Sequence, residues 1–471
     1  MRVLSWRLGI RPSNTRIPFK YGKASLTECP QALLELVLEI QGNVIRGYAA
    51  DCLPPLWFDK SEDRGFGEQI EDMLDVITIA ASALSDFGVI ESVGEAVRVL
   101  WSTPGLSGRP QLLTSFGHSM AERCLIDALC RKSNCSFRKI LSTGALYGDF
   151  VTELNARGHK RNISPWQHDH SSERIAVRHT VGLGDPLSNS EQQLDDGISD
   201  GLPATLEDHL RHNGIRYLKV KIGNRGLEDI QRLMAIWRVC ELTAGWKISF
   251  TLDGNEQYSS IEEFEEFWSQ LRSIPELRMF TDNVIAVEQP LNRMVALDET
   301  ATSGLREFSS VVPVIIDESD AAKDDCWQAL CLGYSGTSSK ACKGVTKALI
   351  NRQLIAECQN EQEERQFLVT GEDLCCVGVV ALQTDLALVS VMGLTHVERN
   401  GHHYHSGLNY LSRGCYEEII QQHGDLYQLV NGVPALKIEQ GSLCVRTVNE
   451  NGFGFSVDPR FDTYELIRYG E

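Results

Sequence analysis

The chain has 471 residues, of which 42% are hydrophobic and 23% charged, a composition typical of a globular protein with enough apolar residues for two domains. Its 45 basic and 64 acidic residues give a net charge of −19, which argues against nucleic acid or an anionic membrane surface as a partner. No run of about 18 apolar residues predicts a membrane span.

The amino-terminal segment and the cysteines together predict a cytoplasmic protein. Arginines interrupt the segment Met1–Ile10, so it is not predicted to be a signal peptide. The 14 cysteines are scattered through helix-like and strand-like segments and include the adjacent pair Cys375 and Cys376. In a long chain without an export signal, such cysteines are expected to be reduced core residues.

Residues 1–172 are predicted to form an α+β domain. Ala32–Ile40 and Val44–Ala50 are strand-like and flank a Gln-Gly-Asn turn, a pattern typical of a β-hairpin. The segment Arg11–Lys20 is polar and contains two prolines, so it is predicted to be a loop. From Glu68 onward, apolar residues recur at helical spacing.

A polar linker at residues 166–172 separates this domain from a second one, predicted at 173–430. The linker contains His168 and His170. No cysteine or histidine cluster with metal-ligand spacing accompanies them, so a surface loop is the better interpretation.

The second domain is organised around the stretch Tyr217–Gly223. Its residues alternate, so a β-strand here has Leu218 and Val220 on one face and Lys219 and Lys221 on the other. Burying two ammonium groups costs several kcal/mol unless carboxylates, a metal site or a substrate anion compensate. We therefore expect the two lysines to be functional.

Carboxylates end the next strand-like runs. Asp253, Glu288 and Asp317 each close an apolar run, and helix-like segments lie between the runs. This alternation predicts a parallel sheet, and in a closed barrel the carboxyl ends of the strands meet at one mouth. A single aspartate at such a position often caps the next helix instead, but three oxygen ligands from consecutive strands suit Mg²⁺ or Mn²⁺.

These residues also carry a family resemblance. The motifs, in chain order, are Lys219-Val220-Lys221, Asp253-Gly254-Asn255, Val287-Glu288-Gln289-Pro290, Asp317-Glu318-Ser319 and Ser339-Lys340. Their order, at intervals of one strand plus one helix, resembles the mandelate racemase/muconate lactonizing enzyme group of the enolase superfamily. The resemblance implies a modified (β/α)7β TIM-type barrel with an α+β capping domain, formed by the N-terminal part and a C-terminal segment, 431–471, that packs back on the cap.

The resemblance also implies a reaction and roles for the lysines. The reaction is the Mg²⁺- or Mn²⁺-dependent removal of a proton next to a carboxylate, leading to racemisation, epimerisation, dehydration or cycloisomerisation. Lys221 is the expected base on one face of the substrate, with Lys219 lowering its pKa and pairing with the substrate carboxylate, and Lys340 is the base on the other face. The segment Gly333–Ser338 is polar where the family has an apolar sixth strand, so Lys343 remains a rival to Lys340.

Substrate contacts are hypothesised at two places. Arg16 and Lys20 lie on the segment that corresponds to the cap loop of the family, and basic residues there could meet an anionic group. Near the last strands, Glu372, Asp373 and His396 are candidates, together with Glu398. His396 fits a buried core histidine equally well, and the histidine-rich segment 401–405 is interpreted as a surface loop whose role is open.

Two alternative functions remain open. One is a Schiff-base aldolase with Lys221 as the nucleophile, and the other is a catalytically retired barrel that acts as a binding protein. The expected partner is a small carboxylate, with dipeptides, N-acylated amino acids, sugar acids and lactones all compatible. The resemblance further implies a homo-oligomer.

Overall fold

The computed structural model describes residues 1–21, 24–61, 63–103, 108–144, 146, 172–191, 198–450 and 452–470. Of the predicted linker, Ser172 alone is among them, and His168 and His170 lie outside the described residues. Within these ranges, no helix has the length and apolarity needed to cross a membrane. All 14 cysteines are free thiols, and most are buried.

The secondary structure alternates between strands and helices after an initial run of strands. The strands are β1 Arg2–Arg11, β2 Asn14–Tyr21, β3 Ala24–Glu28, β4 Gln31–Ile40, β5 Asn43–Cys52, β6 Arg174–Val181, β7 Tyr217–Lys221, β8 Ser249–Asp253, β9 Val284–Glu288, β10 Val314–Ile316, β11 Gly336–Ser339, β12 Leu368–Gly371, β13 His396–Arg399, β14 Tyr427–Val430, β15 Val433–Leu436, β16 Ser442–Cys444 and β17 Glu465–Gly470. The α-helices are Phe66–Phe87, Val93–Trp101, Gln111–Ser133, Phe137–Ser142, Leu206–Asp208, Leu227–Thr243, Ile261–Ser273, Arg278–Thr281, Leu305–Phe308, Asp325–Leu332, Val345–Glu361, Val380–Val391, Gly401–Tyr404, Tyr416–His423 and Arg446–Glu450. The helix that begins at Leu206 continues as a π-helical turn over His209–Asn213.

Strands β6 to β13 form a closed parallel barrel. They pair in chain order, and β13 pairs back with β6. Leu218 and Val220 of β7 are fully buried on the face opposite Lys219 and Lys221, as the alternation predicts. The eight-stranded barrel predicted from the sequence is confirmed.

The polar sixth strand, β11, takes its place between β10 and β12. Its first residue, Gly336, has φ +152°. A Cβ at this position would lie 1.9 Å from the carbonyl oxygen of Leu368 on β12, so glycine allows the two strands to approach. Close packing of the two backbones therefore accounts for the glycine, and two of the polar residues bond acids, Thr337 to Asp320 and Ser338 to Asp317.

The cap is an antiparallel sheet in the order β17-β1-β4-β5, with helices packed on it. Gln41 and Gly42 connect β4 and β5 with φ of +51° and +77°, the left-handed conformation typical of a tight hairpin. Gly47 on β5 lies against the helix Gln111–Ser133, where a Cβ would stand 2.0 Å from the carbonyl oxygen of Cys124.

The prediction of a loop at Arg11–Lys20 is wrong, because most of this segment forms β2. This strand pairs with β3 in a two-stranded ribbon, and Ile17 and Phe19 are buried. Pro18 and the polar residues led to the loop prediction, but a two-stranded ribbon leaves one edge of each strand unpaired and tolerates proline there.

The C-terminal segment divides between the two sheets. Strand β16 pairs antiparallel with β6 of the barrel, and β17 pairs antiparallel with β1 of the cap. The segment predicted to pack on the cap thus joins cap and barrel.

Candidate active site

The residues predicted to act as bases and metal ligands lie at the carboxyl ends of barrel strands. Lys221, Asp253 and Glu288 are the last residues of β7, β8 and β9, and they are adjacent in register. Asp317 directly follows β10, and Lys340 directly follows β11. Because the strands are parallel, all five side chains belong to the same mouth of the barrel.

Lys221 and Lys340 stand on opposite sides of this mouth. Three strands separate β7 from β11 in each direction around the barrel. The arc over β8, β9 and β10 carries Asp253, Glu288 and Asp317, and the other arc carries Glu372 after β12 and Glu398 on β13. These five carboxylates are all buried.

Lys219 lies at the centre of the carboxylates. Its Nζ is 2.7 Å from Glu288 Oε1, 2.6 Å from Glu372 Oε2, 3.1 Å from Asp253 Oδ2 and 3.2 Å from Glu398 Oε2. Burial lowers the pKa of Lys219, but the surrounding carboxylates outweigh burial and the pKa is raised well above its ordinary value. Lys219 is therefore a fixed cation that holds both arcs together.

The other two lysines each bind one carboxylate. Lys221 Nζ donates to Asp253 Oδ2 at 2.5 Å, and Lys340 Nζ donates to Asp317 Oδ2 at 2.5 Å. Burial lowers the pKa of Lys340, but Asp317 and other nearby acids raise it by more. The pKa is therefore above its ordinary value. Lys340 in this arrangement is an ammonium group.

Lys343, the rival of Lys340, lies on another side of Asp317. Its Nζ donates to the Asp317 carbonyl oxygen at 3.1 Å, to Asp317 Oδ1 at 3.2 Å and to Ser338 Oγ at 3.0 Å. Lys340 lines the cavity at the barrel mouth, whereas Lys343 lines a separate cavity between the cap helices and the barrel. The geometry favours Lys340 for contact with a substrate and Lys343 for holding Asp317.

A glutamine of the family-like motif connects two of the acidic strand ends. Gln289 Oε1 accepts hydrogen bonds from the backbone N–H groups of Asp317, at 2.7 Å, and Ser319, at 3.1 Å. Gln289 had no role predicted from the motif. The structure shows that it fixes the end of β9 against the end of β10.

The carboxylates suit a divalent cation. Glu288 Oε2 is buried and has no hydrogen-bond partner among the described residues. Burial first, and then the nearby Glu372, Asp253 and Asp317, raise the pKa of Glu288 well above its ordinary value, even though Lys219 lowers it. An unpartnered carboxylate oxygen in this acidic group fits Mg²⁺ or Mn²⁺, which prefer oxygen ligands.

Two aromatic side chains of the cap close the mouth. Phe19 and Trp57, with Pro54, line the cavity that also contains Lys221 and Lys340. The Nζ of Lys340 lies 5.1 Å from the centroid of the Trp57 ring, within the range of a cation–π contact. Sequence reasoning singled out the basic residues Arg16 and Lys20 of the cap segment, overlooked Phe19 between them, and gave Trp57 no role.

Glu372 and Asp373, both predicted candidates for substrate contact, lie at the mouth of the barrel. They make different contacts there. Glu372 binds Lys219 and also accepts a short hydrogen bond from the buried guanidinium of Arg178. Asp373 lines the cavity and accepts hydrogen bonds from the backbone N–H groups of Cys376, at 2.6 Å, and Asn400, at 3.0 Å. The sequence predicts a strand at Arg178 and no further role. In the structure its guanidinium neutralises Glu372 from inside the barrel.

His396 lies at the opposite end of the barrel. It is the first residue of β13, stacks on Tyr217 with ring centroids 4.6 Å apart, and receives a hydrogen bond from Arg178 at 2.5 Å. Burial, followed by the charge of Arg178, lowers the pKa of His396 to about 3. These contacts are those of a neutral core histidine.

Arg16 and Lys20 are not among the residues that line the mouth. Arg16 is buried and pairs with Asp200 at 2.8 Å, and it donates to the carbonyl oxygens of Leu202 and Pro203. Lys20 is exposed and lies beside Gly184. Arg16 thus fastens β2 to a barrel loop.

Neither a protein-family model nor a curated protein sequence matches the chain. Solved structures do match over almost the whole length. A dipeptide epimerase from Cytophaga hutchinsonii, solved with Mg and the dipeptide D-Ala-L-Val, is 14% identical, with a TM-score of 0.60 and 99% of each chain covered. A 2-chloromuconate cycloisomerase from Rhodococcus opacus is 16% identical, with a TM-score of 0.63, covering 99% of this chain and 100% of the other.

A third structure, the N-succinyl Arg/Lys racemase from Bacillus cereus, is 15% identical, with a TM-score of 0.61, covering 99% of this chain and 100% of the other. At these identities the comparison concerns the fold. The chain has the capped-barrel fold of the enolase superfamily, which confirms the predicted fold class.

Proposed function

We propose that this chain is an enolase-superfamily isomerase or lyase that removes the proton next to the carboxylate of a small substrate. The observation that carries the proposal is the placement of Lys221 and Lys340 on opposite sides of one barrel mouth, with Asp253, Glu288 and Asp317 on the arc between them. A planar intermediate held at that arc would present one face to each lysine.

Asp253, Glu288 and Asp317 are the residues that would hold Mg²⁺, and Mn²⁺ shares the same ligand preference. When bound, the ion supplies positive charge against the negative charge that develops on the substrate carboxylate oxygens as the proton leaves. The unpartnered oxygen of Glu288 supports this assignment.

The lysines act as bases only when they are neutral. Lys221 is held by Asp253 and Lys340 by Asp317, and both acids are proposed metal ligands. Each of the two proposed bases is therefore held in place by an acid that would also hold the ion. Lys219, held by four carboxylates, keeps its charge and is placed to pair with the substrate carboxylate.

The use of one or two lysines decides the product. If both act, the proton leaves one face and returns to the other, giving racemisation or epimerisation. If one acts, the same intermediate expels a leaving group or undergoes ring closure. The structures compared above include an epimerase, a racemase and a cycloisomerase, so they support the reaction class and leave the product open.

Deuterium exchange tests the proposal directly. The protein with Mg²⁺ in D₂O is incubated with dipeptides, N-acylated amino acids, sugar acids and lactones, and mass spectrometry detects deuterium at the carbon next to the carboxylate. We expect exchange in at least one class of substrate, and loss of that exchange in the double variant Lys221→Ala/Lys340→Ala. Absence of exchange across all classes would favour a binding protein, and borohydride trapping of a substrate on Lys221 would favour the aldolase.

A further inference from the structure

The segment 401–405, interpreted above as a surface loop, is largely buried. It forms the helical turn Gly401–Tyr404, with His403 and His405 each 1% exposed. His402 and His403 pack against His179 of β6 and His209 of the π-helical turn. The surface-loop interpretation is therefore wrong, because the turn packs against the seam where β13 closes the barrel on β6.

This histidine group lies outside the barrel interior. Arg178 and Thr180 of β6 bind Glu372 and Glu398 inside the barrel, so His179, between them in the strand, points to the outer face. His209 and His402 reach it from two connecting segments. The group is thus separate from the carboxylates of the mouth.

Three of the imidazoles converge. Each of His179, His209 and His402 offers a nitrogen, and these atoms all lie within 4.8 Å of one another. The Nδ1 of His179 is 3.2 Å from Nε2 of His402. Two nitrogens on one tetrahedral Zn²⁺ ion, each bound at about 2.0–2.1 Å, lie about 3.3 Å apart.

We propose that His179, His209 and His402 form a binding site for a divalent transition-metal ion of the Zn²⁺ class. Imidazole nitrogens select such ions over Mg²⁺, which prefers oxygen ligands. The ion would join β6 to the segments that carry the other two histidines and so clamp the closing seam of the barrel.

The surroundings support ligation. His179 and His209 are buried and His402 is half-buried, so the group is shielded from most of the solvent. A neutral imidazole has one nitrogen without a proton, and that nitrogen can bind a metal. Asn213 contacts Nδ1 of His209 at 3.0 Å and so turns Nε2 toward the other imidazoles, where Nδ1 of His403 lies 3.0 Å from it.

Charge and access are compatible with an ion here. Arg399 and Arg16 are nearby cations, and each is paired with a carboxylate: Arg399 with Asp385, and Arg16 with Asp200 at 2.8 Å. His403 lies 3.0 Å from His209 and 3.7 Å from Asp185, so a carboxylate is present at the edge of the group. A cavity of about 420 Å³ is lined by His209 and His402 and provides a route for the ion.

The test measures Zn²⁺ binding to the full chain in saturating Mg²⁺, with a chromophoric chelator as competitor. We expect one tightly bound Zn²⁺ per chain, loss of that binding by at least about 100-fold in His209→Ala and His402→Ala, and no change in His212→Ala. His212 is the matched control because it is exposed on the same turn as His209. Glu288→Gln should keep the Zn²⁺, which separates this site from the mouth.

A measurement on the unaltered protein covers the case in which a variant does not fold. Zinc X-ray absorption of the loaded protein should show at least three imidazole ligands, and Co²⁺ should give the visible spectrum of a tetrahedral site. The proposal is overturned if the wild-type chain binds no stoichiometric Zn²⁺, if binding survives His402→Ala, or if the ligands are oxygen atoms.

Discussion

Lys340 and Lys343 bind the two carboxylate oxygens of a single residue: Lys340 donates to Oδ2 of Asp317 and Lys343 to Oδ1. Lys340 lines the cavity beneath the cap, and Lys343 reaches Asp317 from another side, where it also bonds Ser338. The two lysines share a partner and differ in what else they can touch.

This difference predicts different losses on substitution. Lys340→Ala should reduce exchange from one substrate face by about 100-fold or more, because a general base is removed. Lys343→Ala should weaken Mg²⁺ binding by roughly 10- to 100-fold, because Asp317 loses a hydrogen-bond donor, with exchange largely restored at saturating Mg²⁺. Exchange of each enantiomer in D₂O, measured against Mg²⁺ concentration, separates the two. The reverse pattern would make Lys343 the base.

Lys221→Ala should abolish exchange from the other face and leave Mg²⁺ affinity within a few-fold of wild type. Lys221 contacts Asp253 by one hydrogen bond, and Lys219 remains beside the same carboxylate, so the acid keeps a counter-ion. Isothermal titration with Mg²⁺ and deuterium exchange provide the two readouts. Lys247→Ala, an exposed lysine just before β8, is the control. Turnover that persists in Lys221→Ala would remove Lys221 from its proposed role.

Glu288→Gln should weaken Mg²⁺ binding by at least about tenfold, or 1.4 kcal/mol. Without Mg²⁺ the variant should be at least as stable as wild type, because burial and nearby acids already raise the pKa of Glu288 and an amide removes that strain. Thermal melting with and without Mg²⁺ tests both parts, with the exposed Glu262→Gln as the control. A full Mg²⁺-dependent rise in Tm in Glu288→Gln would contradict its role as a ligand.

His396→Leu should retain exchange activity and lose stability. Its ring stacks on Tyr217 at the far end of the barrel, and its Nδ1 accepts a hydrogen bond from the buried Arg178. Loss of that acceptor should lower the free energy of unfolding by about 1–3 kcal/mol. Activity assays and urea unfolding of the same preparation check the prediction. A large fall in turnover at unchanged stability would restore His396 as a candidate for substrate contact.

Loss of the proton from Asp127 should make the cap less stable as pH rises. Burial raises its pKa to about 6, although Arg131 and the Tyr48 N–H lower it, and the ordinary pKa of an aspartate is about 3.9. The folded state therefore binds more protons than the unfolded state from about pH 4 to pH 6, and stability is lost over that window, by about 3 kcal/mol. Asp127→Asn should make this slope shallower in urea unfolding at pH 4.5 and 7. The exposed Asp86→Asn should leave the slope unchanged.

The sequence predicts the barrel and the ends of its strands because both depend on local patterns. Alternation in Tyr217–Gly223 shows which residues face inward, and a carboxylate that closes an apolar run must lie near the strand end. Contacts between distant segments leave no such pattern. The approach of Trp57 to Lys340, and of Arg178 to Glu372, is decided by how the cap and the inner layers of the barrel pack.

The position of a residue along its strand also matters. His396 was a candidate because it lies near the last strands, whereas the structure shows that β13 begins at His396, at the base of the barrel. The histidines at 179, 209 and 402 are far apart in the chain, so ligand spacing could not reveal them. Their meeting depends on closure of β13 against β6.

The pairing of β17 with β1 has a consequence for biosynthesis. Residues 2–11 are made before the barrel, yet their partner at 465–470 emerges only after every strand of the barrel has been made. The cap sheet therefore lacks its outer strand while the barrel is synthesised, and the nascent cap exposes the free edge of β1 until residues 465–470 emerge. We expect chaperones to bind the nascent chain at that edge.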